Sequence, residues 1–171
     1  MKLSTDYLKS PLPNYRNGAL SAIASIAIAL GSCFVDYFPI ILEPVLKCLE
    51  DSDSKVRYYA SESLYNIAKA VHSGILPYFD QFLYAACQLF ADNDTYVKKI
   101  SFFYFSISIS FSFIFQGGSL LDRALKDIIS ECQEVNVSKF IPILKQYILL
   151  NNPFIRRLAV SWISVVHFMI L

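Results

Sequence analysis

One stretch recurs, and its spacing restricts the fold more than any other feature of the chain. Residues 51–69 read DSDSKVRYYASESLYNIAK: a turn, an aspartate cap, and a helix whose apolar residues fall on one stripe. Asp51, Asp53, Val56 and Arg57 return 41 positions later as Asp92, Asp94, Val97 and Lys98. The next return, Ile155 with Arg156, comes 58 positions after Val97 and Lys98, an excess of 17. The segment Ile100–Gln116 is 17 residues long. With it set aside, Ala60, Gly118 and Ala159 share one register, and Ile67, Leu125 and Val166 share another. One step back from Arg57 and Ala60 stand Arg16 and Ala19.

Between these anchors the text alternates between two kinds of helix. Residues 1–14 read as a lead-in punctuated by Ser10, Pro11, Pro13 and Asn14. Tyr15–Leu30 carries Ala19, Ile23, Ile26, Ala27 and Leu30 at helical spacing, with Gly31 as its stop. It is too short and too rich in serine for a membrane span and reads as a packing helix. Tyr37–Glu50 has an apolar stripe from Phe38 to Leu49. Pro39 suits its first turn, and Pro44 predicts a kink. Asp53 caps a helix over Ser54–His72 that buries Val56, Ala60, Leu64, Ile67, Ala68 and Val71 and ends at Gly74. Leu76–Ala91, residues 117–131 and Phe140–Leu150 continue the alternation. Asn152 then caps a last helix, with Pro153 at its first position and Ala159, Ile163 and Val166 on its stripe.

A period near 40 built from two helices, with Asp-x-x-Val-Arg opening the second, is the HEAT signature. One helix pair cannot bury its own stripe, so pairs stack into an all-α HEAT/armadillo-like solenoid. The division expected is a lead-in at 1–14, a solenoid over 15–163 interrupted at 100–116, and an atypical tail at 164–171. The repeated charges predict a structural turn ladder of Asp53, Arg57, Asp94, Lys98, Asn152 and Arg156, with Arg16 at its head, each acid meeting a base of the adjacent repeat. Tyr58, Tyr59 and Tyr65 fall partly off the apolar stripe and form a candidate partner surface.

Chemistry is sparse. The formal net charge is +1, which gives no global pull toward nucleic acid or anionic lipid. Cys33, Cys48, Cys87 and Cys132 have neither CxxC nor metal-ligand spacing and read as reduced core thiols. His72 and His167 have no ligand neighbours at coordinating spacing. No nucleophile elbow, P-loop or dinucleotide fingerprint occurs, so no catalytic residue, metal or cofactor is assigned. The first residues lack the apolar core of a signal peptide.

Ile100–Gln116 is built only of Ile, Ser, Phe, Tyr and Gln. It interrupts a repeat in mid-helix and restores the frame afterwards. Pyrimidine-rich DNA encodes such text, so it reads as a retained intron or a gene-model error. A transcript joining Lys99 directly to Gly117 would support this, and its uniform presence in mature transcripts would exclude it. The other readings are a marginal membrane span or an exposed strand.

The runs YRNGALSAIASIAIALG at 15–31, DSKVRYYASESLYNIAK at 53–69, LPYF at 76–79, LLDRALKDII at 120–129 and FIPILKQYILLNNPFIRRLAVSWI at 140–163 resemble the N-terminal HEAT repeats of the Vac14 family. The resemblance implies a non-enzymatic scaffold of the PIKfyve phosphatidylinositol 3-phosphate 5-kinase complex. It implies a PIKfyve-type kinase and a Sac-type lipid phosphatase as partners, and support of phosphatidylinositol 3,5-bisphosphate synthesis. It also implies peripheral attachment to the cytoplasmic face of endosomal or vacuolar membranes. Other readings remain: a general HEAT adaptor in transport, a membrane-inserted product spanning at 100–116, or a truncated product without function.

Overall fold

In the computed structural model the described residues are 2–92, 94, 118–132, 135 and 140–170; the interruption at 100–116, with Val97, Lys98 and Gly117, lies outside them. Among the described residues every regular element is helical. The α-helices are α1 (Lys2–Tyr7), α2 (Pro13–Leu30), α3 (Phe38–Lys47), α4 (Ser54–Val71), α5 (Phe79–Ala91), α6 (Gly118–Glu131), α7 (Phe140–Leu149) and α8 (Pro153–Ile170). Seven-residue 3-10 segments, Gly31–Tyr37 and His72–Tyr78, lead into α3 and α5, and a shorter one, Cys48–Glu50, ends the α3 arm.

The period found in the sequence is a period of packing. α2 and α4 lie side by side and parallel. Arg16 pairs with Asp51 just ahead of α4, the Ser63 hydroxyl donates to the Leu20 carbonyl at 2.9 Å midway, and Gly31 lies against the Ala70 carbonyl at the far end. The α3 arm runs antiparallel to α4: Gly31, opening its leading 3-10 segment, lies by the Ala70 carbonyl near the end of α4, and Cys48–Glu50 leads through a short turn into the start of α4. α5 with α6, and α7 with α8, repeat the pairing. The register positions Ala19, Ala60 and Ala159 are all buried, as are Ile67, Leu125 and Val166. Each of these side chains is covered by a neighbouring element, which is how stacked amphipathic pairs complete their cores. The result is an all-α, solenoid-like stack. Aromatic rings join successive layers: Phe38 meets Tyr78 edge-on at 4.9 Å, and Phe79 meets Phe140 at 4.3 Å and Trp162 at 5.3 Å.

Several details differ from the sequence reading. The lead-in holds a helix, α1, anchored where Leu8 is buried and Tyr7 stacks on Tyr15 at 5.8 Å. Pro44 sits inside α3. The carbonyl it leaves unpaired, at Ile40, belongs to an exposed residue, so water can satisfy it. α4 ends at Val71 rather than at Gly74. His72 takes the positive φ of 54°, matching Gly31 at 55° one period earlier. Gly74 serves packing instead, since a Cβ there would meet Val71 Cγ1 at 2.7 Å. Cys33 is exposed rather than a core thiol. Ile163, expected on a buried stripe, is 43% exposed because no described element covers that side of α8. The helical run Pro13–Glu50 is long and apolar enough to cross a membrane by length and composition, yet it breaks at Gly31 and its apolar stripe packs on α4.

Candidate functional site: the turn ladder and the tyrosine ridge

The turn before α4 is held by two aspartates with separate tasks. Asp53 caps the helix: its Oδ1 accepts from the Lys55 amide at 2.8 Å and more weakly from Val56 at 3.4 Å. Asp51 faces the preceding helix. Its Oδ1 accepts from Arg16 Nη2 and from the Asp53 amide, both at 2.9 Å, and its Oδ2 lies 2.8 Å from Arg16 Nε. Arg16 Nη1 closes the arrangement on the Ser10 carbonyl at 2.7 Å.

The same arrangement recurs one period later. Arg57 Nε and Nη2 grip Asp92 Oδ2 and Oδ1 at 2.7 and 3.1 Å, and its Nη1 donates to the Asp51 carbonyl at 2.8 Å. Asp92 Oδ1 also accepts the Asp94 amide at 2.8 Å. Each arginine therefore ties the carbonyl of its own turn to the carboxylate of the next. The four side chains are 8–18% exposed, and the planar fork matches the carboxylate. The Asp92 hydrogen bond, foremost, raises the Arg57 pKa.

The ladder acids are thus Asp51 and Asp92. Asp53 was expected to cap and to pair, but its carboxylate is committed to backbone amides, and Asp94 occupies the corresponding place in the next turn. Asn152 caps α8, accepting from the Phe154 and Ile155 amides at 2.9 and 3.2 Å. Arg156 reaches Asn151 Oδ1 at 3.4 Å and meets no carboxylate among the described residues. Lys98 lies outside them.

Tyr58 and Tyr59 meet edge-on at 5.3 Å, and Lys69 Nζ stands 5.4 Å from the Tyr65 ring. Tyr59 packs against the core, whereas Tyr58, Glu62, Tyr65 and Lys69 follow one face of α4 at spacings of four and three. That face is a half-exposed ridge.

A polar cluster to which the repeat pattern assigns no role joins α6 and α8. Lys126 Nζ donates to Asp122 Oδ2 and to the Ser161 hydroxyl, both at 2.8 Å, and stands 5.3 Å from the Trp162 ring. Burial raises the Asp122 pKa against the opposing pull of Lys126. The Trp162 indole N–H favours the charged carboxylate but falls short of hydrogen-bond geometry, and neither Nε1 nor Oδ1 has a bonded partner. The signal was available: Asp122 and Lys126 stand in register with Leu64 and Ala68, on a stripe that is otherwise apolar.

Among the described residues no group of three His, Cys, Asp or Glu side chains could hold a metal ion. A cleft of about 660 Å³ opens between the starts of α2 and α4, with Asn14, Tyr15, Asp53 and Lys55 on its walls.

Stacked helix pairs fastened turn to turn by arginine forks define a solenoid-like protein whose prominent features are surfaces. A family model described as the Vacuolar 14 Fab1-binding region matches residues 14–104. The chain belongs to the Vac14 family. It is 36% identical over 163 residues to a protein VAC14 homolog of Arabidopsis thaliana, covering 95% of this chain and 20% of that protein. It is 34% identical to the VAC14 homolog of Schizosaccharomyces pombe, over 95% of the chain and 23% of that protein. It is also 34% identical to the vacuole morphology and inheritance protein 14 of Saccharomyces cerevisiae, over 90% and 20%. The chain thus spans about a fifth of the length of these relatives. No solved structure matches it.

Proposed function

We propose that this chain is a non-enzymatic scaffold segment that binds a Fab1- or PIKfyve-type phosphatidylinositol 3-phosphate 5-kinase, and that its helix pairs are HEAT repeats. The observation that carries this reading is the match to the Fab1-binding region over residues 14–104, which includes α2 to α5. That span contains both arginine forks and the tyrosine ridge. The forks hold the pairs at fixed spacing, and a rigid stack presents α4 as a continuous face. Tyrosines on such a face offer large contact area at low entropic cost. Through the kinase, the scaffold supports phosphatidylinositol 3,5-bisphosphate synthesis at the cytoplasmic face of endosomal or vacuolar membranes. A Sac-type phosphatase joins the same assembly through other parts of the longer protein.

Binding of the purified chain to its cognate kinase tests this. Retention of the kinase is expected, with Tyr58→Ala and Tyr65→Ala each weakening it about 10-fold, in the range of interface anchors, while the melting temperature of the free chain holds. A folded chain that does not retain the kinase contradicts the reading. Kinase binding unaffected by either tyrosine places the contact elsewhere on the stack.

A further inference from the structure

The outward stripe of α4 carries an ordered set of charges. Lys55, Tyr58, Glu62, Tyr65 and Lys69 follow one another at intervals of three and four residues, on the side of the helix opposite buried Val56, Ala60, Leu64 and Ile67. The two lysines are exposed and the three residues between them half-buried. A cation stands at each end, an anion midway, and a tyrosine in each gap. Neighbouring charges are seven residues apart, roughly 10 Å along the axis, too far to pair with one another. Elsewhere the chain does space charges for pairing within a helix, as with Glu43 and Lys47 or Asp122 and Lys126. Among the described residues Lys55, Glu62 and Lys69 meet no opposite charge, and Lys69 lies against the Tyr65 ring instead.

Beside this stripe the surface drops. The parallel helix α2 carries Asn14, Asn17, Ser21, Ala24 and Ile28 at the same positions one period earlier, each shorter than its counterpart on α4. α4 therefore stands above α2 as the riser of a step. The step opens at its start into the cleft walled by Asn14, Tyr15 and Lys55, and Ile28, 61% exposed, lies at its other end.

We propose that this step seats a helix of the kinase whose contact face complements the stripe: two acids fourteen residues apart, a base midway, and apolar residues in the gaps against the tyrosines. Charge selects the occupant, since each end of the stripe calls for an anion and its middle for a cation. Spacing selects a helix. Seven residues of a second helix also rise roughly 10 Å and return to the same face, so its charges keep step with those of α4. An extended segment covers that length in about three residues, and an odd interval turns the next side chain to the opposite face. The pattern reads the same from both ends, so it sets register rather than direction. This inference rests on the kinase-binding reading and names what that binding recognises.

Carbodiimide cross-linking of the chain with its cognate kinase tests it, because the reagent joins amines to carboxylates in contact. Mass spectrometry should find Lys55 and Lys69 joined to two acids of one kinase helix, fourteen residues apart. The triple variant Lys55→Glu, Glu62→Lys, Lys69→Glu should bind the kinase at least about 10-fold more weakly, since like charges then face each other. Its melting temperature should stay within about 2 °C of the original, because the three side chains lie on the solvent side of α4. If the triple variant melts early, the cross-links decide alone. A kinase held equally by a folded triple variant and the original, or lysine cross-links to acids at unrelated spacing, overturns the proposal and leaves the kinase-binding reading standing. A folded original chain that retains no kinase overturns both.

Discussion

At position 72 a histidine carries a backbone that its counterpart, Gly31, adopts at little cost. Both have φ near 55°, a region where a Cβ is crowded. His72→Gly should raise stability by roughly 1–2 kcal/mol through relief of that strain. The loss of the His72–Glu131 contact at 2.9 Å offsets little, because both side chains are about half exposed or more. Gly31→Ala should cost a similar amount, and chemical denaturation midpoints would compare the two. The cysteines give a second test at this scale. Burial pushes the Cys48 thiol to about 11 and the Cys87 thiol to about 12, so both stay protonated near neutral pH. A thiol-alkylating reagent applied to the native chain should modify exposed Cys33 well before Cys48 or Cys87, as mass spectrometry of digests would show.

Among the elements, the contact of α6 with α8 departs most from its counterparts. α2 and α4 bury Ile23 with Ala27 and Leu64 with Ala68, where α6 offers Asp122 and Lys126. Because burial raises the Asp122 pKa, the folded state binds a proton more readily than the unfolded chain between the ordinary carboxylate pKa and the raised one. Its contribution to stability therefore falls as pH rises through that window and is regained on acidification. Asp122→Asn should flatten that portion of the stability–pH curve, measured by urea denaturation across mildly acidic pH. Helix positions, caps and the 41-residue register were legible in the sequence because turn chemistry and apolar spacing are local signals. Asp53 as a cap and Asn152 with Pro153 as a helix start are examples. Which aspartate pairs with Arg57 was not legible. Asp51 and Asp53 recur equally, and only the turn's geometry assigns one to backbone amides and the other to a neighbouring helix. Gly74 misled for a related reason: a glycine near a helix end looks like a stop, and the Val71 contact that requires it appears only in three dimensions.

For the whole molecule, repetition converts weak local units into a rigid array. No single pair buries its own stripe, so the contacts between pairs carry the fold, and the arginine forks fix how the pairs are set. The kinase-binding role proposed for α2–α5 depends on that fixed setting, since a partner reading a face spread over several helices needs them in constant register. A double-mutant cycle on Arg57 and Asp92, followed by denaturant unfolding of the original chain, Arg57→Ala, Asp92→Ala and the double variant, measures the fastening directly. Each single change should cost roughly 2–3 kcal/mol, since each strands a largely buried charge-assisted partner. The double change should cost less than the sum by about 1.5–3 kcal/mol. Additivity within about 0.5 kcal/mol would contradict the account, because it would mean that the turns of successive pairs are not held to one another.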